Sequence, residues 1–143
     1  MPRIARNVAI FALLFVILPA AATGEIDTPV AALARLAAAI SRNDAPAALA
    51  VFDRQMPAYG TVETAIAALT AQSDVLLSIE ILTESQTPEA KTLDTDWFMQ
   101  IKPRIDGGPA ERRRQRISLT LRMLRGQWRI TAISHPQVLL PPA

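Results

Sequence analysis

The chain has no cysteine, a single histidine and only seven aromatic residues among its 143 residues. The absence of cysteine excludes disulfide bonds, thiol catalysis and thiolate metal sites. A lone His135 excludes a histidine-pair metal site, and its position before Pro136 is typical of an exposed strand end. There is also no glycine-rich phosphate loop and no dinucleotide fingerprint. We therefore predict no metal site and no cofactor.

The N-terminus has the features of a secretory signal peptide. Arg3 and Arg6 precede an uninterrupted apolar run at residues 8–18, and three alanines end at Ala22. This pattern predicts cleavage after Ala22, with Gly24 as the alternative site, and export to the periplasm or out of the cell. The apolar run is shorter than the roughly 20 residues that span a bilayer. An uncleaved membrane anchor is the alternative interpretation.

Removal of residues 1–22 leaves an electrically neutral chain. Arg3 and Arg6 are two of the 15 basic residues, and all 13 acidic residues come later, so 13 of each sign remain. A neutral domain gives no electrostatic reason to expect a polyanionic partner. We therefore expect no nucleic acid as a partner, and no membrane contact after cleavage. Residues 23–143 have room for a single domain.

The first half of this domain has the apolar spacing of three helices. Thr28 is a candidate cap, Pro29 suits a first helical turn, and apolar residues recur every three or four positions as far as Ile40. Asp44 is the candidate cap of a shorter second helix. Thr61 is the candidate cap of a third.

The second half changes to the two-residue period of strands. Alternation predicts strands at residues 74–87, 91–102, 112–125 and 127–134, with the strongest turn signal at 106–109. The residues after 134 are expected to form a loose tail. Helices followed by hairpin-linked strands predict an α+β fold, in which three N-terminal helices pack on a curved, mainly antiparallel four-stranded sheet.

The alternation also separates two faces of the sheet. If the second and third predicted strands pair so that the numbers of opposite residues sum to about 216, Asp94 lies opposite Arg122. A shift of one residue in this pairing would turn the charged side chains toward the core. The face toward the helices then carries Leu93, Thr95, Trp97, Met99, Ile101, Ile117, Leu119, Leu121 and Met123. The opposite face carries Asp94, Asp96, Phe98, Gln100, Lys102, Arg114, Arg116, Ser118, Thr120 and Arg122.

Four segments of the chain, residues 41–49, 59–66, 93–97 and 126–133, resemble those of one superfamily. The first segment is similar to the superfamily's opening pair of helices, which a short polar break separates. The second is similar to the glycine-containing start of its third helix. The last two are similar to its strands. Together they resemble the NTF2-like superfamily, which includes the SnoaL-like and ketosteroid-isomerase-like cone folds. The resemblance covers nearly all of residues 23–143 and implies an NTF2-like cone.

Two departures from the family pattern limit what the resemblance implies. Only residues 56–60 are available for the hairpin that members often place between the second and third helices. Members with isomerase or cyclase activity resemble each other in a pocket Asp or His with Tyr or acid partners, and no such set can be carried onto this sequence. The resemblance therefore implies an architecture and not an activity, and we predict no catalytic residues.

Six residues are candidates for a ligand pocket inside the cone. They are Phe52, Tyr59, Trp97, Met99, Leu119 and Trp128. Either they line a cavity that binds a small apolar ligand, or they simply form the core. Core packing is the preferred interpretation, and for Tyr59 the alternative is a hydrogen bond donated into the cavity.

Charged residues on the other face have two interpretations as well. Asp94 or Asp96 could act as a general base only in an apolar pocket that raises its pKa. Pairing with nearby arginines, which lowers the pKa of a carboxyl group, is the preferred interpretation. A candidate anion-binding surface consists of Arg112, Arg114, Arg116 and Arg122.

The sequence therefore predicts an exported NTF2-like domain that binds a small apolar ligand or a protein partner without catalysis. Phe98, an aromatic residue among polar ones, indicates a homodimer that forms through the exposed face of the sheet. One alternative is an isomerase- or cyclase-like enzyme with an acidic pocket residue. The other is an anion-binding surface formed by the strand arginines.

Overall fold

Three helices and four strands follow one another within residues 27–105 and 108–142, which the computed structural model describes. The elements are α1 Pro29–Ser41, α2 Ala45–Leu49, α3 Tyr59–Gln72, β1 Ser73–Gln86, β2 Lys91–Pro103, β3 Glu111–Leu124, β4 Gln127–Ile133 and a short 3₁₀ helix, Pro136–Leu139. The strands form one antiparallel sheet in the order β1-β2-β3-β4. The predicted α+β fold is confirmed. The predicted signal peptide, residues 1–22, lies outside the described residues.

Two of the three predicted helix caps are confirmed. The Thr28 hydroxyl accepts a hydrogen bond from the Ala31 N–H at 3.0 Å, and the Asp44 carboxylate accepts one from the Ala47 N–H at 3.1 Å. The Thr61 cap was wrong, because α3 begins two residues earlier and has no side-chain cap. Its first turn is closed by the backbone bond from the Val62 N–H to the Ala58 carbonyl.

Arg104 joins the end of α3 to the start of β1. Its Nη2 donates to the Thr70 carbonyl at 2.8 Å and to the Ala71 carbonyl. Its Nη1 donates to the Ser73 carbonyl at 2.7 Å and to the Asp74 carboxylate at 3.0 Å. A cation is favourable there because the last carbonyls of a helix have no partners within it. Arg104 therefore fixes the angle at which the helical layer meets the sheet.

The face of the sheet that packs against the helices is the inner face, and its residues form the core. Along β2, every second residue from Leu93 to Ile101 is fully buried, and Ile117, Leu119 and Leu121 continue the pattern on β3. Leu36, Ile40, Ile66 and Leu69 of α1 and α3 pack onto them in the same cluster. The predicted division of the strands into two faces is confirmed for these residues. Met123 was assigned to the core wrongly, because it lies 42% exposed at the β3–β4 hairpin.

The pairing of β2 with β3 differs from the prediction by four positions. Asp94 lies opposite Ser118, and Ile101 lies opposite Glu111, where the pairing ends. The predicted Asp94–Arg122 pair is therefore wrong. Proline cannot donate a hydrogen bond to a ladder, so Pro103 and Pro109 prevent the tight hairpin that the prediction assumed. A shift of four residues is even, and for this reason it leaves each side chain on its predicted face.

Two irregularities bend the sheet. The β1–β2 register shifts between Ile81 and Thr83, and the β3–β4 register shifts between Thr120 and Leu121. Such bulges add local twist and curvature. The β3–β4 turn is formed by Arg125 and Gly126, both with positive φ, as a two-residue hairpin turn requires.

The residues after β4 are packed and not loose, so the expectation of a loose tail was wrong. Val138 is 7% exposed and Leu139 is fully buried, and both belong to the hydrophobic core. The 3₁₀ helix that carries them packs against α3. We call residues 136–140 the C-terminal strap. Its two apolar side chains contribute burial that the proline-rich composition of this segment did not indicate.

Candidate functional site

Four of the six candidate pocket residues have no exposed surface. Phe52, Trp97, Met99 and Leu119 are all fully buried in the core, while Tyr59 and Trp128 are half-buried and pack against it. Phe52 is fixed by its neighbours, because the Ile130 N–H donates to the Val51 carbonyl and the Asp53 N–H to the Ile130 carbonyl, each at 2.8 Å. The structure thus brings the six residues into one apolar cluster. Whether this cluster accepts a ligand stays a prediction.

The polar groups inside the cluster satisfy one another. The Trp97 Nε1–H donates to the Thr95 hydroxyl at 2.9 Å, and that hydroxyl donates to the Ile117 carbonyl at 2.7 Å. A buried indole N–H that lacks an acceptor would cost free energy. The Thr95 hydroxyl therefore fixes the orientation of the largest side chain in the core.

The described part of the chain has no buried ionisable side chain. The buried polar residues in these ranges are Thr70, Ser73 and Thr95. The pKa of Asp27, Asp74 and Asp96 is lowered in each case, chiefly by a hydrogen bond from an arginine: Arg35, Arg104 and Arg114 respectively. A general base that works near neutral pH needs the opposite shift. The isomerase-like alternative therefore gains no support from these residues.

The exposed side of the sheet is the outer face, and it separates charges of opposite sign. Its residues are Leu76, Ser78 and Glu80 on β1, Asp94, Asp96, Phe98 and Gln100 on β2, and Arg112, Arg114, Arg116 and Ser118 on β3. These acidic residues lie on β1 and β2 and these arginines on β3, while Lys102 adds one cation on β2, opposite Asp74 of β1. Phe98, which is 46% exposed, and Leu76, which is 64% exposed, lie among them. The outer face thus carries an apolar centre with acids toward one side and arginines toward the other.

Asp96 and Arg114 form the ion pair of the outer face. Arg114 donates to one oxygen of Asp96 from Nη2 at 2.8 Å and from Nε at 3.0 Å. This contact lowers the pKa of Asp96 and raises that of Arg114. Asp94 instead accepts a hydrogen bond from the Thr83 hydroxyl at 2.8 Å. The pairing of Asp96 with an arginine is thus as predicted, whereas the expected arginine partner of Asp94 is absent.

The four arginines of the candidate anion surface all lie exposed on β3. Arg112, Arg114 and Arg116 occupy alternate positions, so about 7 Å separates one from the next. Arg122 lies nearer the hairpin and directly opposite Arg129 of β4. Within residues 27–105 and 108–142, Arg114 is the one member of this set that forms an ion pair.

Asp27 was missed in the sequence, although it ties the start of the domain to β4. Its carboxylate accepts hydrogen bonds from the Trp128 backbone N–H at 2.8 Å and from Arg35 at 2.7 and 3.2 Å. Its side chain is only 13% exposed. The neighbouring Trp128 ring has the Lys91 ammonium 5.8 Å from its centre, and this lysine pairs with Glu84 at 2.8 Å. The feature of the sequence that could have indicated this role is an acidic residue directly before the Thr28-Pro29 start of α1.

Arg113 was also missed, and it lies on the inner face. Its Nη1 donates to the Val138 carbonyl at 2.7 Å and to the Leu140 carbonyl, and its Nε contacts the Glu111 carboxylate. Met99, directly opposite on β2, is fully buried. The alternation of β3 was the available signal, because it sends Arg113 to the face opposite that of Arg112 and Arg114.

Residues 27–105 and 108–142 assemble no group of three or more metal-ligating side chains. None of the described helices has the length and apolar character that a membrane crossing needs. His135 is exposed at the end of β4, as predicted, with its Nδ1 2.8 Å from the Ser134 hydroxyl.

Comparison with known proteins identifies the architecture. No protein-family model and no curated protein matches the chain. A conserved protein from Planctomyces limnophilus superposes with a TM-score of 0.64 at 12% identity, over 71% of this chain and 87% of that one. An NTF2-like superfamily protein from Salmonella enterica gives 0.60 at 14% identity, over 78% and 87%. A ketosteroid isomerase-like protein from Erwinia carotovora gives 0.59 at 16% identity, over 72% and 88%.

Structural similarity at this level of sequence identity shows a common fold and carries no activity from one protein to another. The three helices and the curved antiparallel sheet are consistent with the fold of these structures. The chain therefore has the NTF2-like fold.

Proposed function

We propose that this chain is a non-catalytic binding domain that pairs with a second copy of itself through the outer face. The single observation that carries the proposal is the exposed apolar pair Phe98 and Leu76, set between acids on β1 and β2 and arginines on β3. A solvated sheet face is normally polar, and a large exposed aromatic at its centre is typical of an interface.

The charge arrangement favours a second copy as the partner. A two-fold axis that lies in the interface, parallel to the strands and over Phe98, exchanges the positions of β1 and β3. Because Glu80, Asp96 and Arg116 lie in one cross-strand row, this axis places Arg116 of one copy opposite Glu80 of the other. Phe98 then meets its own counterpart, and so does Asp96, whose charge is neutralised within each copy by its pair with Arg114. Closed symmetry of this kind is the commonest arrangement of soluble oligomers.

Sedimentation velocity of residues 23–143 tests the pairing. We expect the wild-type chain to sediment as a dimer at micromolar concentration, and Phe98→Asp to weaken the dimer at least about tenfold. Val30→Asp is the matched control, because Val30 is 59% exposed but lies on α1. A wild-type monomer, or equal effects of the two variants, would contradict the proposal.

Charge exchange gives a sharper test of the axis. Glu80→Arg alone and Arg116→Glu alone each place like charges opposite one another across the axis, and we expect both to weaken the dimer. The double variant restores opposite charges, so it should recover the wild-type association. Failure of the double variant to recover, with both single variants impaired, would reject this orientation.

A second candidate is the binding of a small apolar ligand inside the cone. It is favoured by the single apolar cluster that Phe52, Trp97, Met99 and Leu119 form with Leu139 of the C-terminal strap. Quenching of tryptophan fluorescence by an apolar ligand would test it, because Trp97 lies within this cluster. Trp128, at its margin, would respond less.

The anion-binding surface is a third candidate. Arg122 and Arg129 lie opposite one another on β3 and β4, and an anion between them would relieve the repulsion of like charges in this position, although Arg129 also donates to the Ala50 carbonyl and to Gln127. Retention on heparin at two salt concentrations tests it, since binding to a polyanion weakens as salt rises. Arg122→Gln should reduce retention, and Arg54→Gln, on a loop, is the control. Equal retention of the two variants would reject this candidate.

A further inference from the structure

The C-terminal strap is held to the rest of the domain in an unusual way. Its backbone hydrogen bonds are local. The Val138 N–H donates to the carbonyl of His135, the residue just before the strap, at 3.2 Å, and the Leu140 N–H donates to the Gln137 carbonyl at 3.1 Å. Within the described ranges, the hydrogen bonds that join it to the domain come from Arg113 alone. The strap thus depends on one arginine and two apolar side chains.

The strap covers an apolar part of the inner face. Leu139 is fully buried and Val138 nearly so, and both belong to the cluster that contains Met99 and Trp97. The strap also packs against α3. Displacement of a segment that pairs with no strand requires no sheet bond to break. Its departure would leave an apolar groove between α3 and β3.

Arg113 would then lie at the rim of that groove. Its side chain is only 18% exposed, and Nη1 binds the carbonyl oxygens of Val138 and Leu140. These two oxygens stand where the oxygens of a carboxylate could accept from the same guanidinium, so that both partners of the bond, and not only the arginine, would carry a charge. Glu111 forms an ion pair with Arg113 through Nε. Nη1 is therefore the nitrogen left to an anionic group once the strap has gone.

We propose that the groove beneath the C-terminal strap binds an apolar molecule with a carboxylate head, which displaces Leu139 and accepts hydrogen bonds from Arg113. This inference rests on the ligand-binding candidate of the proposed function and not on the dimer. The strap acts as an internal competitor, since the groove is open only in the fraction of molecules in which the strap has left.

Calorimetric titration with two probes of equal chain length, dodecanoate and dodecanol, tests the inference. Leu139→Ala removes the side chain that seals the groove, so we expect dodecanoate to bind about tenfold more tightly than to the wild type. Arg113→Gln should weaken dodecanoate binding about tenfold relative to dodecanol, and dodecanol should bind at least as tightly as to the wild type because the strap also loses its hydrogen bonds. Arg112→Gln is the matched control, because this arginine is next in sequence but exposed on the outer face.

Hydrogen exchange of the wild-type chain gives a readout that does not depend on a variant. Dodecanoate should speed the exchange of the Val138 and Leu140 amides, because the strap leaves when the ligand enters. Binding that leaves these amides unchanged would overturn the inference, as would a folded Leu139→Ala variant with no gain in affinity.

The outcomes separate this inference from the proposed function. Equal binding of dodecanoate and dodecanol, with no effect of Arg113→Gln, would overturn the carboxylate assignment and leave an apolar ligand site in place. Failure of both probes to bind any folded form would overturn both the inference and the ligand candidate. Neither result affects the dimer, which sedimentation measures separately.

Discussion

The two faces of strand β2 differ as much as any two regions of this molecule. On the inner face, Trp97 and Met99 are fully buried, whereas Phe98 between them lies 46% exposed on the outer face. The inner residues hold the helices to the sheet, and their replacement disturbs the fold. The outer residues touch no helix, so they are free to serve recognition. In the proposed dimer, fold and binding would therefore be specified by alternate residues of the same strands.

Strand β3 shows the same division within its basic run. Arg112, Arg114 and Arg116 lie exposed on the outer face, and Arg113 turns inward to the strap. Four arginines of one short segment therefore have two roles. Substitutions at adjacent positions should consequently have unlike effects.

The largest effect is expected for Trp97→Ala. Loss of a fully buried aromatic side chain should lower the free energy of unfolding by about 3–5 kcal/mol. Phe98→Ala, one residue away, should change it by no more than about 0.5 kcal/mol in a dilute monomer. Urea unfolding followed by circular dichroism measures both. Equal losses at the two positions would contradict the division of the faces.

A smaller loss is expected for Thr95→Val, which keeps the shape of the side chain and removes its hydroxyl. The Trp97 N–H and the Ile117 carbonyl would lose their buried partner, at a cost of about 1–3 kcal/mol. Thr92→Val, at an outward-facing position of the same strand, is the control. An unchanged midpoint of urea unfolding for Thr95→Val would show that this hydroxyl does not stabilise the core.

The next effect concerns Asp27 and depends on pH. Asp27→Asn should lower the free energy of unfolding by about 1–2 kcal/mol at pH 7, because the pair with Arg35 is lost. The pKa of Asp27 is lowered in the folded state, so its contribution is present above the ordinary pKa of 3.8 and disappears as the pH falls through the folded value.

Unfolding curves of the wild type and Asp27→Asn should therefore converge as the pH falls below 3.8. Glu63→Gln, on the exposed side of α3, controls for the loss of one negative charge. A difference between wild type and Asp27→Asn that stays constant down to low pH would indicate that the carboxylate charge has no role.

The smallest effect is expected for Asp96→Asn on the outer face. Arg114 is largely exposed, and solvent screens an ion pair of this kind. The loss should therefore be smaller than that of Asp27→Asn, with the same direction of pH dependence because the pKa of Asp96 is also lowered. A loss larger than that of Asp27→Asn would mean that the outer face contributes to the fold and is not free for recognition.

The architecture could be predicted because periodicity is a local property of the sequence. The helices, the four strands and the inward side chains of β2 follow from spacing alone. The register of β2 on β3 does not, because it depends on which residues of the connection can pair. Pro103 and Pro109 moved it by four positions. Since that shift is even, the face assignment survived the error in the partner of Asp94.

The parts that could not be predicted rest on contacts between distant residues. Arg113 meets the strap 25 residues later, and Asp27 meets Trp128 across 101 residues. Local patterns indicate where these two side chains lie, but they do not identify the partner of either one, because each contact joins a side chain to a backbone group that any residue could supply. For the same reason the strap was taken for a loose tail, although Leu139 is fully buried.

Hydroxyl-radical footprinting at low and high protein concentration tests most directly whether the outer face is the surface that pairs. Phe98 and Leu76 should be oxidised readily in the dilute monomer and protected at concentrations where the dimer forms. Val30, exposed on α1, should be oxidised equally in both. Equal oxidation of Phe98 at the two concentrations, under conditions where sedimentation shows a dimer, would contradict the assignment of the outer face as the interface.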